Sequence, residues 1–349
     1  MKTPEILLVF IAVFLLSLLS IYLIASSPVR DETVSEVISF AEPGGGNQSV
    51  RSIKVMTYNM GYASGMSNNL GSVLGEEEVK SNLDMIAGAI AENGADIVAL
   101  QEVDLWARRS CYIDQFRYLG EKLGFPWGAY MVNWNRKYVP YPFTLNPGRH
   151  FGRIESAQAV LSRFPILGND ADYFVKPLDK PFWYNKFYTD RGVQKTAIRL
   201  PGGETIKLYN VHLEAYHPET RKVQVRELLD VMRREYFTGG IIMGDFNAVP
   251  PGAAKQNGFS DEPEIDYTGD TGIRVLLAEG KLNEAVMESA GNNASQGLTF
   301  PSVNPSRRLD YIFYRGNFRL VSGRVDTAAG TGSDHLPVTA ELEYTGRDK

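Results

Sequence analysis

Residues 241 to 248 read Ile-Ile-Met-Gly-Asp-Phe-Asn-Ala. A short apolar run that breaks off into polar residues fits a buried strand with Asp245 and Asn247 where it leaves the core. The two polar residues are spaced i and i+2, so from an extended segment both side chains point the same way. Three distant segments have the same form. Ile53 to Met56 runs into Thr57-Tyr58-Asn59, Ile97 to Leu100 runs into Gln101-Glu102-Val103-Asp104, and Ser333-Asp334-His335-Leu336-Pro337 leads into Val338 to Leu342. Polar residues carried on strand ends should gather at one edge of a sheet.

The rest of the chain reads as helices and strands around these four. Glu78 to Asn93 places Val79, Leu83, Ile86 and Ile90 on one helical face, and Gly94 closes it. Gln115 to Leu123 is a second helix, and Thr220 to Tyr236 a third, with Val225, Leu228, Leu229, Met232 and Tyr236 at helical spacing. Ala157 to Leu161 reads as a strand, and Val193 to Leu200 with Thr205 to Leu213 as a hairpin about Pro201-Gly202-Gly203. Leu309 to Tyr314, Phe318 to Val325 and Val338 to Tyr344 are late strands. Hairpins mixed with helical crossovers predict an α/β fold of two packed mixed sheets covered by helices.

Ahead of this body, residues 6 to 25 carry no charge, enough for a helix of roughly 30 Å that spans a bilayer. A cleaved signal peptide is the competing reading, but its apolar stretch is usually about 7 to 15 residues, and no clean small-x-small site follows. The reading adopted is a retained single-pass anchor over 1–28 with the large domain outside the cytoplasm. Residues 29–50, with Pro28, Pro43 and glycines at 44 to 46 nearby, have linker composition, and the catalytic body is expected over 51–345. The net charge of −5 disfavours tight nonspecific DNA binding, because neutralised phosphates supply most of such affinity. No segment points to a protein partner. The single cysteine, Cys111, excludes an internal disulfide and reads as a structural or incidental thiol and not as a nucleophile.

Each polar strand end has a chemical reading beside a plainer one. A carboxylate at a buried strand end suits a hard divalent cation, which takes one or two carboxylates and leaves the rest of its shell to water and phosphate. Glu102 is the leading metal ligand, with Asn59 beside it offering an amide oxygen; alone, a strand-end Asn more often caps a turn. Asp245 could take a proton from water while Asn247 holds the attacked phosphate, although an isolated Gly-Asp-x-Asn is usually a turn. His335 needs an acceptor to fix its tautomer, and alone it would be an ordinary surface residue. Arg153 and Arg163 could bind phosphate by bidentate contacts. His150 and His217 lie in polar loops, where a solvated imidazole is the default.

Taken together, Thr57-Tyr58-Asn59-Met60, Gln101 to Asp104, Leu161 to Ile166, Tyr209 to Glu214, Gly244 to Ala248, Arg308 to Phe313 and Ser333 to Val338 resemble the endonuclease/exonuclease/phosphatase superfamily in content and order. The resemblance covers about residues 51 to 345. It implies a four-layered α/β sandwich of the DNase I-like type, a divalent metal, usually Mg²⁺ with Mn²⁺ as a substitute, and phosphoester hydrolysis by activated water. It implies metal binding by Glu102, with Asn59 and Asp334 near the ion. It further implies water activation by Asp245, transition-state stabilisation by Asn247, and an Asp310 partner for His335. His212 is present where abasic-site endonucleases carry another residue and DNase I-like and sphingomyelinase-like members have His, and it is the expected donor to the leaving oxygen. Arg153, Arg163 and Asn210 are the expected substrate-binding residues.

Two aromatic-rich stretches, Phe125 to Phe143 and Phe182 to Tyr188, either line a substrate groove, stack on bases or touch lipid headgroups, or simply pack long loops. The leading expectation is a membrane-tethered Mg²⁺-dependent phosphodiesterase or phosphatase, its substrate a phospholipid headgroup. An extracytoplasmic nuclease is the alternative. A non-catalytic binding module would lack a ligand, and none is missing.

Overall fold

The computed structural model describes residues 3–29, 35–40, 52–67, 71, 73–290 and 297–346. In chain order the elements are helix α1 (Thr3–Ser26), strands β1 (Ser35–Ser39) and β2 (Ser52–Asn59), helix α2 (Glu76–Asn93), β3 (Ile97–Asp104), α3 (Gln115–Leu123), β4 (Trp127–Val139), β5 (Gly152–Ser162) and β6 (Ile166–Tyr173). There follow α4 (Phe182–Asn185), β7 (Gly192–Arg199), β8 (Thr205–His212), α5 (Pro218–Arg234), β9 (Gly240–Asp245), α6 (Gly272–Gly280), β10 (Asn283–Glu284), α7 (Ala285–Ser289), β11 (Asp310–Arg315), β12 (Phe318–Val325) and β13 (Val338–Tyr344). The strands form a seven-stranded sheet in the order β1-β4-β5-β3-β2-β13-β12 and a six-stranded sheet in the order β10-β11-β9-β8-β7-β6.

The alternation along the strands explains why these sheets face each other. In β2, Ile53 and Val55 point into a core shared with Leu208, Ile241, Met243 and Ile312 of the other sheet. Met56 and Tyr58 point the opposite way, onto α2 and α3 through Leu83, Ile86, Phe116 and Leu119. In β9, Ile242 turns outward with Tyr209, Val211 and Phe313 onto Val225 and Leu228 of α5 and Ile273 of α6. Helices, sheet, sheet and helices make four layers, the expected DNase I-like sandwich. Strands buried on both faces must be apolar throughout, hence the short unbroken runs before each polar end.

Local chemistry sets the helix ends. α2 begins two residues earlier than expected, with Glu76, Glu77 and Glu78 in the first turn, where carboxylates suit the positive end of the helix dipole. Gly94 ends it at φ +60°, a conformation glycine takes without a Cβ penalty. α5 stops at Arg234, so Tyr236, expected on its apolar face, lies beyond it and is exposed.

Three stretches differ from the expectation. Trp127 to Val139, expected as part of an aromatic loop, is a 13-residue strand whose mixed sequence reflects a half-buried surface. Within the stretch expected as a linker, Ser35–Ser39 pairs antiparallel with β4; residues 30–34 and 41–51 lie outside the described residues. β6 was not expected at all, and only its first residue, Ile166, is buried.

Candidate active site at the strand ends

Strand direction brings the polar ends together. β2 and β3 are parallel, with Asn59 beside Gln101, and β8 and β9 are parallel, with His212 beside Asp245. β11 runs antiparallel to β9, and its first residue, Asp310, is the register partner of Asp245. Asn59, Glu102, Asp245, Asn247, Asp334 and His335 line one polar cavity of about 50 Å³. His212 and Asp310 stand just behind its wall, buried.

Backbone geometry aims two of these side chains. The register between β3 and β5 shifts after Leu100, and in that bulge Glu102 adopts φ +55°. A bulge re-aims a side chain out of the alternation of its strand. Asn247 adopts φ +50° just past β9. Gly244 is required for a different reason: a Cβ there would lie 1.9 Å from the Val211 carbonyl oxygen of β8.

Asp245 is the hub. Its Oδ2 accepts from Asn59 Nδ2 at 3.0 Å and from Asn247 Nδ2 at 3.1 Å, and its Oδ1 accepts from the Asn247 backbone N–H at 2.8 Å. His212 Nε2 lies 3.5 Å and His335 Nε2 3.9 Å from Asp245 Oδ2. Glu102 Oε1 is 3.8 Å from His212 Nε2. Burial, followed by the negative charge of Asp310, pushes the Asp245 carboxyl up to about 7.

The two histidines are held in opposite states. Burial alone would push His335 down, but Asp310, 2.9 Å from its Nδ1, together with Asp245 and Asp334, holds the imidazolium up to about 10. Burial and the nearby Arg191 and His335 charges push His212 well below its ordinary value, so its ring is neutral. Its Nε2 accepts from Arg191 Nη1. Arg191 therefore engages the ring nitrogen of His212 that faces Asp245.

The donor set fits a hard divalent cation. Glu102, Asp245 and Asp334 line one cavity with the Asn59 and Asn247 side chains, and among the described residues Asp310 Oδ1 is buried with no hydrogen-bond partner. Among the described residues, Asp245, Asp310 and His335 offer ligand atoms all within 4.8 Å of one another. Asn59 turns its Nδ2 to Asp245, and its Oδ1 accepts from the Gly61 N–H at 3.0 Å. Asp334 is held by Ser333, whose Oγ lies 3.4 Å from its Oδ1.

Three expected substrate contacts are not in the cleft. Asn210 is buried between the sheets, where Nδ2 donates to the Leu100 and Ala159 carbonyls at 3.0 Å each, and Oδ1 accepts from Gln101 Nε2 at 2.7 Å. Its hydrogen-bonding capacity is spent on joining the two sheets. Arg163 follows Ser162, which pairs with Ile97 at the start of β3, so it lies at the opposite sheet edge, over the Phe125 ring. Arg153 stacks on Trp106 instead of lining the cavity. His150 is buried between Tyr138 and the Thr144 carbonyl, and His217 caps α5 by accepting from the Thr220 N–H.

Arg191 was missed. Buried beside His212, it lines the polar cavity and a neighbouring cavity of about 220 Å³, whose walls include Tyr62, Trp134, Phe151, Tyr184, Phe187 and Tyr216. Burial would lower its pKa, but Tyr188, Glu214 and Glu102 more than compensate. The hairpin carried the signal: Val193 pairs with Val211 and Gly192 with His212, so one step outward puts residue 191 at the site.

Four layers with carboxylates, amides and imidazoles at one edge of both sheets define the DNase I-like class of sandwich. The chain belongs to the Endonuclease/Exonuclease/phosphatase family, whose model matches residues 56–335. It is 23% identical over 315 residues to a Mycobacterium tuberculosis protein named sphingomyelinase, covering 82% of this chain and 58% of that protein. It is 25% identical over 295 residues to a putative neutral sphingomyelinase of Drosophila melanogaster, covering 76% of this chain and 56% of that one. The chain thus spans little more than half the length of these relatives. An endonuclease/exonuclease/phosphatase structure from Beutenbergia cavernae superposes with a TM-score of 0.58 at 21% identity, covering 85% of this chain and 72% of that one.

Proposed function

We propose that this chain is a membrane-tethered, divalent-metal-dependent phosphoester hydrolase acting on the phosphodiester of a phospholipid headgroup, with its catalytic body outside the cytoplasm. The observation that carries this reading is the Asp245 hub. It is a buried carboxyl near neutral pKa, held by two amides, between a cationic and a neutral imidazole. The sphingomyelinase names of the two relatives support the substrate class. Helix α1 supports the tether: the most apolar 18-residue window within Pro4–Ser26 has a mean hydropathy of 2.9 and is not buried against the body.

In this mechanism Asp245 accepts a proton from the attacking water as the oxygen forms its bond to phosphorus, a role suited by a pKa near the working pH. Asn247, Arg191 and His335 face the phosphoryl oxygens and stabilise the charge that builds on them. His335, kept charged by Asp310, gives a proton to the leaving oxygen as the ester bond breaks. Glu102, with Asn59 and Asp334 beside it, would hold Mg²⁺ or Mn²⁺, which supplies Lewis-acid stabilisation of phosphoryl charge when bound.

The test uses the full chain in nanodiscs containing sphingomyelin and phosphatidylcholine, with release of the phosphorylated headgroup followed by 31P NMR. Hydrolysis should need Mg²⁺ or Mn²⁺ and stop in excess chelator. Glu102→Gln should raise the metal concentration for half-maximal rate by about tenfold or more, the scale on which losing one charged ligand acts. Lipid hydrolysis that persists in chelator would remove the metal from the mechanism. Cleavage of DNA with no cleavage of lipid would move the substrate to nucleic acid.

A further inference from the structure

We propose that the rim of the aromatic cavity is a lipid-contact surface, seated in the membrane interface by Leu145, Phe182 and Trp183, so that a phosphoester enters the cleft directly from the bilayer surface. The inference rests on the membrane tether read above for α1, and it adds where and how the body meets that membrane.

Three observations meet at this rim. The larger cavity shares Glu102, Arg191 and Tyr216 with the polar cavity at Asp245, so it leads to the reacting centre. Its outer wall is formed by Tyr141, Phe143, Tyr184 and Phe187, and the chain beside that wall is apolar and uncovered. Phe143 is 66% exposed, Phe182 77% and Trp183 53%, and Leu145 is fully exposed. The rings form one patch: Phe143 lies 5.8 Å from Tyr141 and 6.4 Å from Tyr184, which lies 6.4 Å from Trp183. Exposed apolar groups gathered in this way mark an interaction surface, whereas single ones need no explanation.

Helix α1 identifies the occupant. Tyr22 meets the Phe187 ring edge-on at 5.5 Å, and its hydroxyl lies 3.5 Å from the Trp183 carbonyl oxygen. Just past the helix, the Lys137 N–H donates to the Ser27 carbonyl at 2.9 Å. At 1.5 Å per residue, the four steps from Tyr22 to the helix end at Ser26 span roughly 6 Å. A spanning α1 therefore carries α4 at the depth of its own last apolar turn. That is the headgroup level, where tryptophan and tyrosine rings are favoured. Lys186, exposed just past α4, is placed to meet anionic headgroups, while Lys180 on the other side pairs with Asp179 at 2.7 Å. A lipid surface fits this aromatic and basic rim because the anchor and the rim arrive at the same plane.

The experiment uses the full chain in nanodiscs and compares it with the triple variant Leu145→Ser, Phe182→Ser, Trp183→Ser, none of which lines the cavity. Phosphatidylcholine brominated near the headgroup should quench the fluorescence that is lost in Trp183→Phe. The triple variant should hydrolyse soluble bis(p-nitrophenyl) phosphate within about twofold of the parent and bilayer phospholipid about tenfold or more slowly, since interfacial binding scales with buried apolar area. Absence of Trp183 quenching, or equal losses on both substrates, would overturn the proposal. So would a parent dimer in sedimentation that the triple variant disperses, because a second copy would then cover the rim. Should no phosphoester be hydrolysed at all, the proposed function fails, while the quenching result still decides the surface.

Discussion

Replacing Asn210 with Ala should cost stability and leave substrate affinity nearly intact. Asn210 Nδ2 donates across the sheet interface to the Leu100 and Ala159 carbonyls and, within its own sheet, approaches Gln194 Oε1 at 3.1 Å; Oδ1 accepts from Gln101 Nε2. Truncation takes a partner from the Gln101 amide and the Gln194 carbonyl oxygen, both on fully buried side chains. Each stranded buried group costs about 1 to 3 kcal/mol, so two groups and a small cavity amount to roughly 4 kcal/mol. Against a total of about 5 to 15 kcal/mol that is a large share, and it should lower the melting temperature by roughly 8 to 16 °C. The assay is far-UV circular dichroism melting of the full chain in detergent micelles, with kcat and KM measured well below the transition. An unchanged melt with a KM raised several-fold would refute the reasoning and return Asn210 to the substrate.

Two further outcomes follow from the cleft. Asp310→Asn removes the largest group that raises His335 and leaves burial, which lowers it, opposed only by the smaller pull of Asp245 and Asp334, so the ring should be neutral at pH 7.5 in the variant and charged in the parent. A folded pKa raised to about 10 contributes stability that is fully present below the ordinary 6.5 and is lost as pH rises through 10, so the variant should lose stability mainly below that upper limit. Ring 15N chemical shifts of a chain with four histidines would show this, and a His335 still charged at pH 8 in Asp310→Asn would sink it. Gly244→Ala should abolish folded protein, because the added Cβ would meet the Val211 carbonyl oxygen at 1.9 Å; parent-like yield and melting would contradict the β8–β9 register.

Much of the sandwich was legible because its central strands are buried on both faces and so announce themselves as apolar runs. β4 was not, since Trp127 to Val139 alternates burial with exposure and mixes aromatic, amide and basic residues. Strand direction is what the local sequence hid. Arg163 follows a buried strand just as Asn59 does, yet β5 runs antiparallel to β3, and its C-terminal end falls at the far edge of the sheet. Asn210 was hidden differently: an amide near the end of a strand looks the same whether it faces a ligand or a second sheet. The surrounding Leu100, Ala159 and Gln101 decide, and they come from the other sheet.

The same dependence on register assigns the charge in the cleft. His212 ends β8 and His335 lies just ahead of β13, and both are buried, so desolvation presses each towards the neutral form. Their neighbours then separate them. Asp310 faces His335 because β11 begins opposite Asp245, and a buried carboxylate 2.9 Å from a ring nitrogen outweighs the desolvation. Arg191 faces His212 because Gly192 pairs with His212 in the β7–β8 hairpin. A slip of one residue in that hairpin would turn every β7 side chain to the other face. It would take Arg191 from the ring and from both cavities, leaving His212 without the cation that helps keep it neutral. The division between a charged and a neutral histidine is thus a property of two strand pairings, which is why neither motif could reveal it alone.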